Sequence, residues 1–180
     1  MVRLKGGDPS IFGRATEELE ACRAAGIAVS ICPGFTAASA AAASLGASLT
    51  LRGLARKLTF VTAHAHAGDT LDLDWKSLAD PQATLAVYMG KAAAGEVSAQ
   101  LIASGLPANT PVALVENASL PNESVLRTRL DLLPLAAKSA LGDGPALLLI
   151  GMAMEISSLH SGESISVVDA PQSLRTPSGP

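Results

Sequence analysis

Short apolar runs alternate with helical patterns along most of this chain, and a glycine or proline separates one from the next. Each run is short and rich in aliphatic residues, which is typical of a buried strand. This alternation predicts an α/β fold, in which helices pack on a central sheet. The predicted strands are 58–63, 84–89, 111–116, 125–130 and 146–150, and the predicted helices lie between Thr16 and Gly26, between Thr36 and Gly46, from Trp75, between Gly90 and Gly105, and at 132–141. Thr16 and Thr36 are the predicted N-caps of the first two helices, because a threonine hydroxyl can accept a backbone N–H of the first turn.

The composition indicates a globular protein and excludes several classes of partner. The 180 residues are 48% apolar and carry a formal net charge of −3, which leaves enough material for a core. The 13 Lys and Arg residues are scattered and aromatic residues are few, so we expect no nucleic-acid partner. The longest stretch of small apolar residues, 36–45, is far shorter than the ~20 residues of a membrane helix. With no apolar leader after Met1, we expect no membrane partner and a cytoplasmic location.

Two cysteines and a histidine pair are the candidates for redox or metal chemistry. Cys22 and Cys32 lack the close Cys-x-x-Cys spacing of a zinc site, so we expect reduced, mostly buried thiols. His64 and His66 precede three aspartates in a polar loop, which could suggest a metal site. Two histidines with flexible aspartates lack a third fixed ligand, so we predict that no metal binds.

The segment 3–14, RLKGGDPSIFGR, combines three glycines, one carboxylate and three cations. Gly6 and Gly7 lack a Cβ atom, so the backbone can adopt a positive φ and approach a ligand closely. Asp8 beside them can accept hydrogen bonds from an amine or a hydroxyl group. The segment is therefore predicted to bind a ligand.

This segment resembles the sequence R-L-K-G-G-D-P-F-I-F-G-R of uroporphyrinogen-III C-methyltransferases, which are S-adenosylmethionine-dependent tetrapyrrole methylases. Four later segments are similar to the family's P-G-I-T-A-A-S, Y-M-G, V-E-N-A-T and G-P-A-L, and they occur in the same order. These segments lie at 33–39, 88–90, 115–119 and 144–147. The likeness thus spans most of residues 2–152.

The resemblance implies roles for ten residues. S-adenosylmethionine, the methyl donor, would be bound by Gly6, Gly7, Asp8, Ile11, Thr36, Ala37, Met89, Ala118 and Ala146. Arg3 would bind a carboxylate of uroporphyrinogen III, because guanidinium groups bind carboxylates through two hydrogen bonds. The implied reaction transfers methyl groups directly to two pyrrole carbons and yields precorrin-2, and family members are homodimers when complete.

The chain is expected to divide into three parts. Residues 2–4 and 27–32 have strand patterns, but two short parallel strands cannot form a stable sheet alone. Residues 1–33 are therefore expected to be the remnant of an N-terminal parallel-sheet domain whose other strands lie in a segment absent from this chain. Residues 34–155 are expected to form the C-terminal α/β domain, and the Ser- and Pro-rich residues 156–180 a disordered tail.

Two other functions stay open at this point. A methylase of the same fold could act on another corrinoid intermediate, since relatives with that substrate share the fold. Alternatively, the chain could be a non-catalytic fragment that binds a cofactor or pairs with another chain, because the expected N-terminal segment is missing.

Overall fold

The computed structural model describes residues 1–64 and 71–155, and its centre is one five-stranded sheet. The strands are β1 (Lys57–Thr62), β2 (Ala83–Tyr88), β3 (Pro111–Glu116), β4 (Ser124–Arg129) and β5 (Ala146–Ile150). The helices are α1 (Ala15–Ala24), α2 (Ala37–Leu45), α3 (Trp75–Leu78), α4 (Ala94–Ala103) and α5 (Leu133–Ser139), with 3-10 turns at Leu130–Leu132 and Met152–Met154. The predicted α/β class is confirmed, and each of these strands lies within one residue of its expected bounds.

The strand order is β1-β2-β5-β3-β4, so the last strand lies in the middle of the sheet. β1 and β2 run parallel, whereas β5 is antiparallel to both of its neighbours and β4 is antiparallel to β3. The register pairs Tyr88 with Leu147 and Glu116 with Ala146. The carboxyl ends of β2 and β3 therefore meet the start of β5 at one edge. We call this edge of the sheet the site edge; it comprises the strand ends that meet there and the connections that follow β2, follow β3 and precede β5.

Both faces of the sheet are covered, because the central strands are apolar on both sides. Leu148 and Ile150 of β5 pack on the face covered by α4 and α5, whereas Leu147 and Leu149 pack on the face covered by α2. Burying a leucine side chain contributes about 1.5–3 kcal/mol to folding. The buried face of α2 consists of alanines such as Ala41, so this helix lies close against the strands.

Residues 27–32 do not form the predicted strand, and residues 2–4 do not form one either. The apolar side chains of Ile27, Val29 and Ile31 alternate as a strand requires, yet they are 56%, 47% and 42% exposed. A strand needs a hydrogen-bonded neighbour, and no strand within the described residues pairs with this segment. The strand predictions for residues 2–4 and 27–32 are therefore wrong, whereas the assignment of residues 1–33 to the remnant of an N-terminal domain stays a prediction.

Two helix starts and one thiol also differ from expectation. Arg14, with φ 55°, precedes α1, so Thr16 lies inside the helix and does not cap it. Thr36 does precede α2, but its side chain makes no capping hydrogen bond. Cys22 is partly buried as expected, whereas Cys32 is exposed because it belongs to the unpaired segment 27–32.

Candidate functional site

Tyr88, the last residue of β2, connects three parts of the chain at the site edge. Its hydroxyl forms a hydrogen bond with the hydroxyl of Thr36 and accepts another from the Ala38 N–H, at 3.2 Å, in the first turn of α2. Its ring centre lies 4.9 Å from that of Phe12 and 5.8 Å from that of Phe60. Tyr88 thereby links the start of α2, the sheet and the loop that contains Phe12.

The glycine-rich loop, residues 6–14, is fastened to the turn before α2 by Asp8. One carboxylate oxygen accepts the N–H of Gly34 at 3.0 Å, and the other accepts the N–H of Ser10 at 2.7 Å. These hydrogen bonds, that from Gly34 above all, hold the pKa of the Asp8 carboxyl below its usual value. The two backbones are in contact, because a Cβ atom at Gly34 would lie 3.1 Å from the carbonyl oxygen of Gly7. Asp8 thus fixes the shape of the loop that was predicted to bind a ligand.

Left-handed backbone conformations occur at the same end of the fold. The non-glycine residues of the described chain with positive φ are Phe12, Arg14, Met89, Asn117 and Ser119. All of them belong to the glycine-rich loop or to the site edge. Such conformations are unfavourable for residues with a Cβ atom, and strained backbone of this kind is enriched at functional sites.

The third side of this region is the corner between the end of β3 and the start of β5. The N–H of Asn117 donates to the carbonyl of Pro145 at 2.9 Å, and any side chain at Gly144 would collide with the Asn117 amide. Ala118 packs against the apolar cluster beneath α2, to which the ring of Tyr88 also belongs. Ala146 begins β5 next to this corner.

The structure therefore brings the segments with the predicted cofactor residues to one end of the fold. The glycine-rich loop contains Gly6, Gly7, Asp8 and Ile11; the start of α2 contains Thr36 and Ala37; and the site edge contains Met89, Ala118 and Ala146. Contact of these residues with a cofactor stays a prediction.

Arg3, the predicted substrate residue, lies in a different setting. Its Nε atom is 3.4 Å from a carboxylate oxygen of Glu18, and that same oxygen is 2.8 Å from the Lys5 Nζ atom. The nearby Arg14 is paired with Glu17 at 3.0 Å. The first turns of α1 thus supply acidic partners for the cations of the glycine-rich segment.

Tyr88, Phe12 and Gly34 lie in segments that the sequence pointed to, but no role was predicted for any of them, although each joins elements of the site. Tyr88 is the only tyrosine of the chain and ends a buried strand, which is a signal that could have identified it. The contact between Gly34 and Asp8 spans 26 residues, and no local pattern reveals it.

The described residues contain neither a metal-binding cluster nor a membrane-spanning helix. Of the suggested histidine loop, His66 and Asp69 lie outside those residues, as does the predicted tail 156–180. Elsewhere in the described chain, no group of three or more His, Cys, Asp or Glu side chains is arranged to hold a metal ion. None of the helices in residues 1–64 and 71–155 is long and apolar enough to cross a bilayer.

Comparison with known proteins agrees with this geometry. The chain is 49% identical over 152 residues to a uroporphyrinogen-III C-methyltransferase of Paracoccus denitrificans, covering 84% of this chain and 53% of the relative. It is 48% identical over 161 residues to a siroheme synthase of Zymomonas mobilis, covering 89% of this chain and 33% of the relative. A crystal structure of the Thermus thermophilus uroporphyrin-III C-methyltransferase complexed with S-adenosylhomocysteine superposes with a TM-score of 0.72 at 34% identity, covering 87% of this chain and 68% of that one.

The chain spans about a third of the siroheme synthase and about half of the methyltransferase that it matches. The family model described as tetrapyrrole (corrin/porphyrin) methylases matches residues 1–134, which include the glycine-rich loop, the start of α2 and the ends of β2 and β3. This chain therefore belongs to the tetrapyrrole (corrin/porphyrin) methylase family.

Proposed function

We propose that this chain forms part of an S-adenosylmethionine-dependent uroporphyrinogen-III C-methyltransferase. The proposed reaction adds methyl groups to two pyrrole carbons of uroporphyrinogen III and yields precorrin-2, in the cytoplasm. Family membership and the activities named for the relatives support it. Because the chain spans only part of those relatives, the activity is proposed for the whole protein.

The junction at Tyr88, where its side chain contacts the start of α2 and Phe12 of the glycine-rich loop, is the observation that carries the proposal. S-adenosylmethionine has a flat aromatic base, an apolar thioether region and a charged amino-acid end. Met89 and Phe12 are 48% and 42% exposed beside the junction, and they offer apolar surface to a flat ring. Gly6 and Gly7 offer backbone polar groups that no side chain screens. The residues present therefore fit such a ligand.

The described residues contribute shape and orientation to the proposed reaction. When bound, S-adenosylmethionine supplies a methyl group attached to a positively charged sulfur. The Asp8–Gly34 and Tyr88–Thr36 contacts hold the surrounding segments in position relative to one another. Such positioning aligns donor and acceptor and excludes water, and direct methyl transfer requires no covalent nucleophile.

Substrate binding is assigned to Arg3 as part of the same proposal. Uroporphyrinogen III is a polycarboxylate, and an exposed guanidinium is suited to bind one of its carboxylates. Arg3 is 73% exposed, and its partner Glu18 also pairs with Lys5. A substrate carboxylate can therefore replace Glu18 as the partner of Arg3 without leaving Glu18 unpaired. A homodimeric assembly is also proposed, and the resemblance alone supports it.

The proposed division places residues 1–33 in an N-terminal unit and residues 34–155 in a C-terminal one. The sheet strands of the described chain all lie between Lys57 and Ile150, which supports the second unit. The unpaired strand pattern of residues 27–32 supports the assignment of the first segment to a different sheet.

Isothermal titration of the purified chain with S-adenosylhomocysteine tests the proposed cofactor site. We expect micromolar binding by the wild-type chain and its loss in Gly7→Arg. Gly7 has φ +88°, which disfavours any side chain, and a Cβ atom there would face the Phe35 carbonyl at 3.5 Å. Gly95→Arg is the matched control, because Gly95 lies in α4 with open space around its Cβ position.

Binding that survives in Gly95→Arg and disappears in Gly7→Arg supports a cofactor site at the glycine-rich loop. A folded wild-type chain that shows no heat of binding at millimolar ligand rejects the function for this chain. Equal affinity of all three proteins would place the ligand elsewhere on the fold.

A further inference from the structure

Glu116, at the end of β3, is a buried carboxylate to which no role has been given above. It is 5% exposed. One oxygen accepts the N–H of Gly142 at 2.8 Å, and the other lies 3.2 Å from the Nζ atom of Lys91. The Gly142 N–H, together with Lys91, holds the pKa of the Glu116 carboxyl below its usual value although burial opposes this. The group is therefore a charged carboxylate inside the protein.

Glu116 and its two partners lie on the three segments that meet at the site edge. Lys91 lies in the connection after β2, two residues beyond Met89. Glu116 is the last residue of β3, two residues before Ala118. Gly142 lies in the connection that leads to Ala146 at the start of β5. One side chain thus connects the three segments that present Met89, Ala118 and Ala146.

Burying a charged side chain costs more free energy than burying an apolar one. An ionised carboxylate loses its hydration on burial, and an apolar side chain of similar size would pack there at less cost. What the carboxylate provides is directional bonding to a backbone N–H on one side and to an ammonium group on the other. These bonds fix the relative positions of chain segments in a way that apolar packing does not.

We propose that Glu116 is a positioning residue for the S-adenosylmethionine site, holding the turn after Met89 and the loop before Ala146 in the arrangement that binds the donor. The inference rests on the proposed function, because it takes the site edge as part of the donor pocket. Glu116 does not itself touch the ligand in this account; it acts through the backbone that it fixes.

Titration with S-adenosylhomocysteine, paired with thermal unfolding, tests this role in four variants. Glu116→Gln and Lys91→Met each remove one charge of the pair, and we expect the Kd to rise about tenfold, since the released turn and loop must then be ordered when the ligand binds. Lys91→Arg keeps the cation and should stay within about twofold of wild type. Asp80→Asn is the matched control, because Asp80 also combines an ion pair with a lysine, Lys57, and a backbone N–H, but it lies before β2, at its opposite end from Tyr88.

A raised Kd in Glu116→Gln and Lys91→Met, with Lys91→Arg and Asp80→Asn unchanged, supports the proposal. Should Glu116→Gln not fold, the comparison of Lys91→Met with Lys91→Arg decides, because the Lys91 side chain is 28% exposed and tolerates replacement. A lower melting temperature with an unchanged Kd overturns the positioning role and leaves a structural one. No binding by the wild-type chain would instead reject the proposed function, and this inference with it.

Discussion

At the scale of single residues, polar side chains rather than glycines hold the candidate site together. Asp8 joins two loops through backbone N–H groups, and Tyr88 joins α2 to the sheet through its hydroxyl. Each contact links residues that are far apart in the sequence. Together they connect the glycine-rich loop, the start of α2 and the end of β2.

Replacing Tyr88 by Phe is the most direct residue-scale test of this arrangement. The ring contacts with Phe12 and Phe60 remain, but the Thr36 hydroxyl and the Ala38 N–H lose their partner. We expect the free energy of unfolding to fall by about 1–3 kcal/mol, because two hydrogen bonds are lost and the Ala38 N–H is left without its partner. Urea denaturation measures the change.

Thr36→Val and the double variant Tyr88→Phe/Thr36→Val complete a mutant cycle. The two losses should be less than additive, because both single changes remove the same hydroxyl pair. Strict additivity would contradict a direct bond between Thr36 and Tyr88.

At the scale of elements, α2 shows why an alanine-rich sequence serves this site. The helix lies on one face of the sheet with Ala38 and Ala41 fully buried, while Ala43 is exposed on the opposite side. Small side chains allow the helix axis to approach the strands closely. This approach brings Thr36 and Ala38 within reach of the Tyr88 hydroxyl.

Ala41→Leu should separate α2 from the sheet. Inserting a larger side chain into a packed interface costs about 1–3 kcal/mol, and we expect that loss of stability together with weaker binding of S-adenosylhomocysteine. Ala43→Leu, the same change on the exposed face, should alter neither quantity appreciably. Chemical denaturation and calorimetric titration measure both, and equal effects of the two variants would argue against close helix-sheet packing.

At the scale of the whole molecule, two parts of the chain differ. One part forms the five-stranded sheet, whereas residues 27–32 have the pattern of a strand but no partner strand among the described residues. The sheet of residues 57–150 buries both of its faces, whereas Ile27, Val29 and Ile31 expose an alternating apolar pattern. Extended apolar segments with unpaired backbone groups promote association with other chains.

Charges placed on this segment should therefore reduce self-association. We expect Val29→Lys/Ile31→Lys to lower the fraction of large species in sedimentation velocity without changing the melting temperature, because neither side chain belongs to the described core. Val125→Lys, at an exposed position on the edge strand β4, is the control and should have a smaller effect. The segment 27–32 is not an association surface if the three proteins behave alike.

The sequence alone predicted the local elements and the family. Strand bounds such as those of β3 and β5 follow from short apolar runs that end at polar or glycine residues, and this information is local. The same reasoning was wrong for residues 27–32, because a strand pattern becomes a strand only beside a partner. The prediction of Thr16 as the N-cap of α1 was also wrong, because Arg14, in a left-handed conformation, precedes the helix.

Only the tertiary structure decided how the segments meet. The insertion of β5 between β2 and β3, with its direction reversed, is what brings Met89, Ala118 and Ala146 to one edge. The contacts of Asp8 with Gly34, of Tyr88 with Thr36 and of Glu116 with Lys91 each join residues at least 25 positions apart. Local residue types indicate which segments are candidates for binding a ligand, whereas strand order and long-range hydrogen bonds determine that these segments lie at one end of the fold.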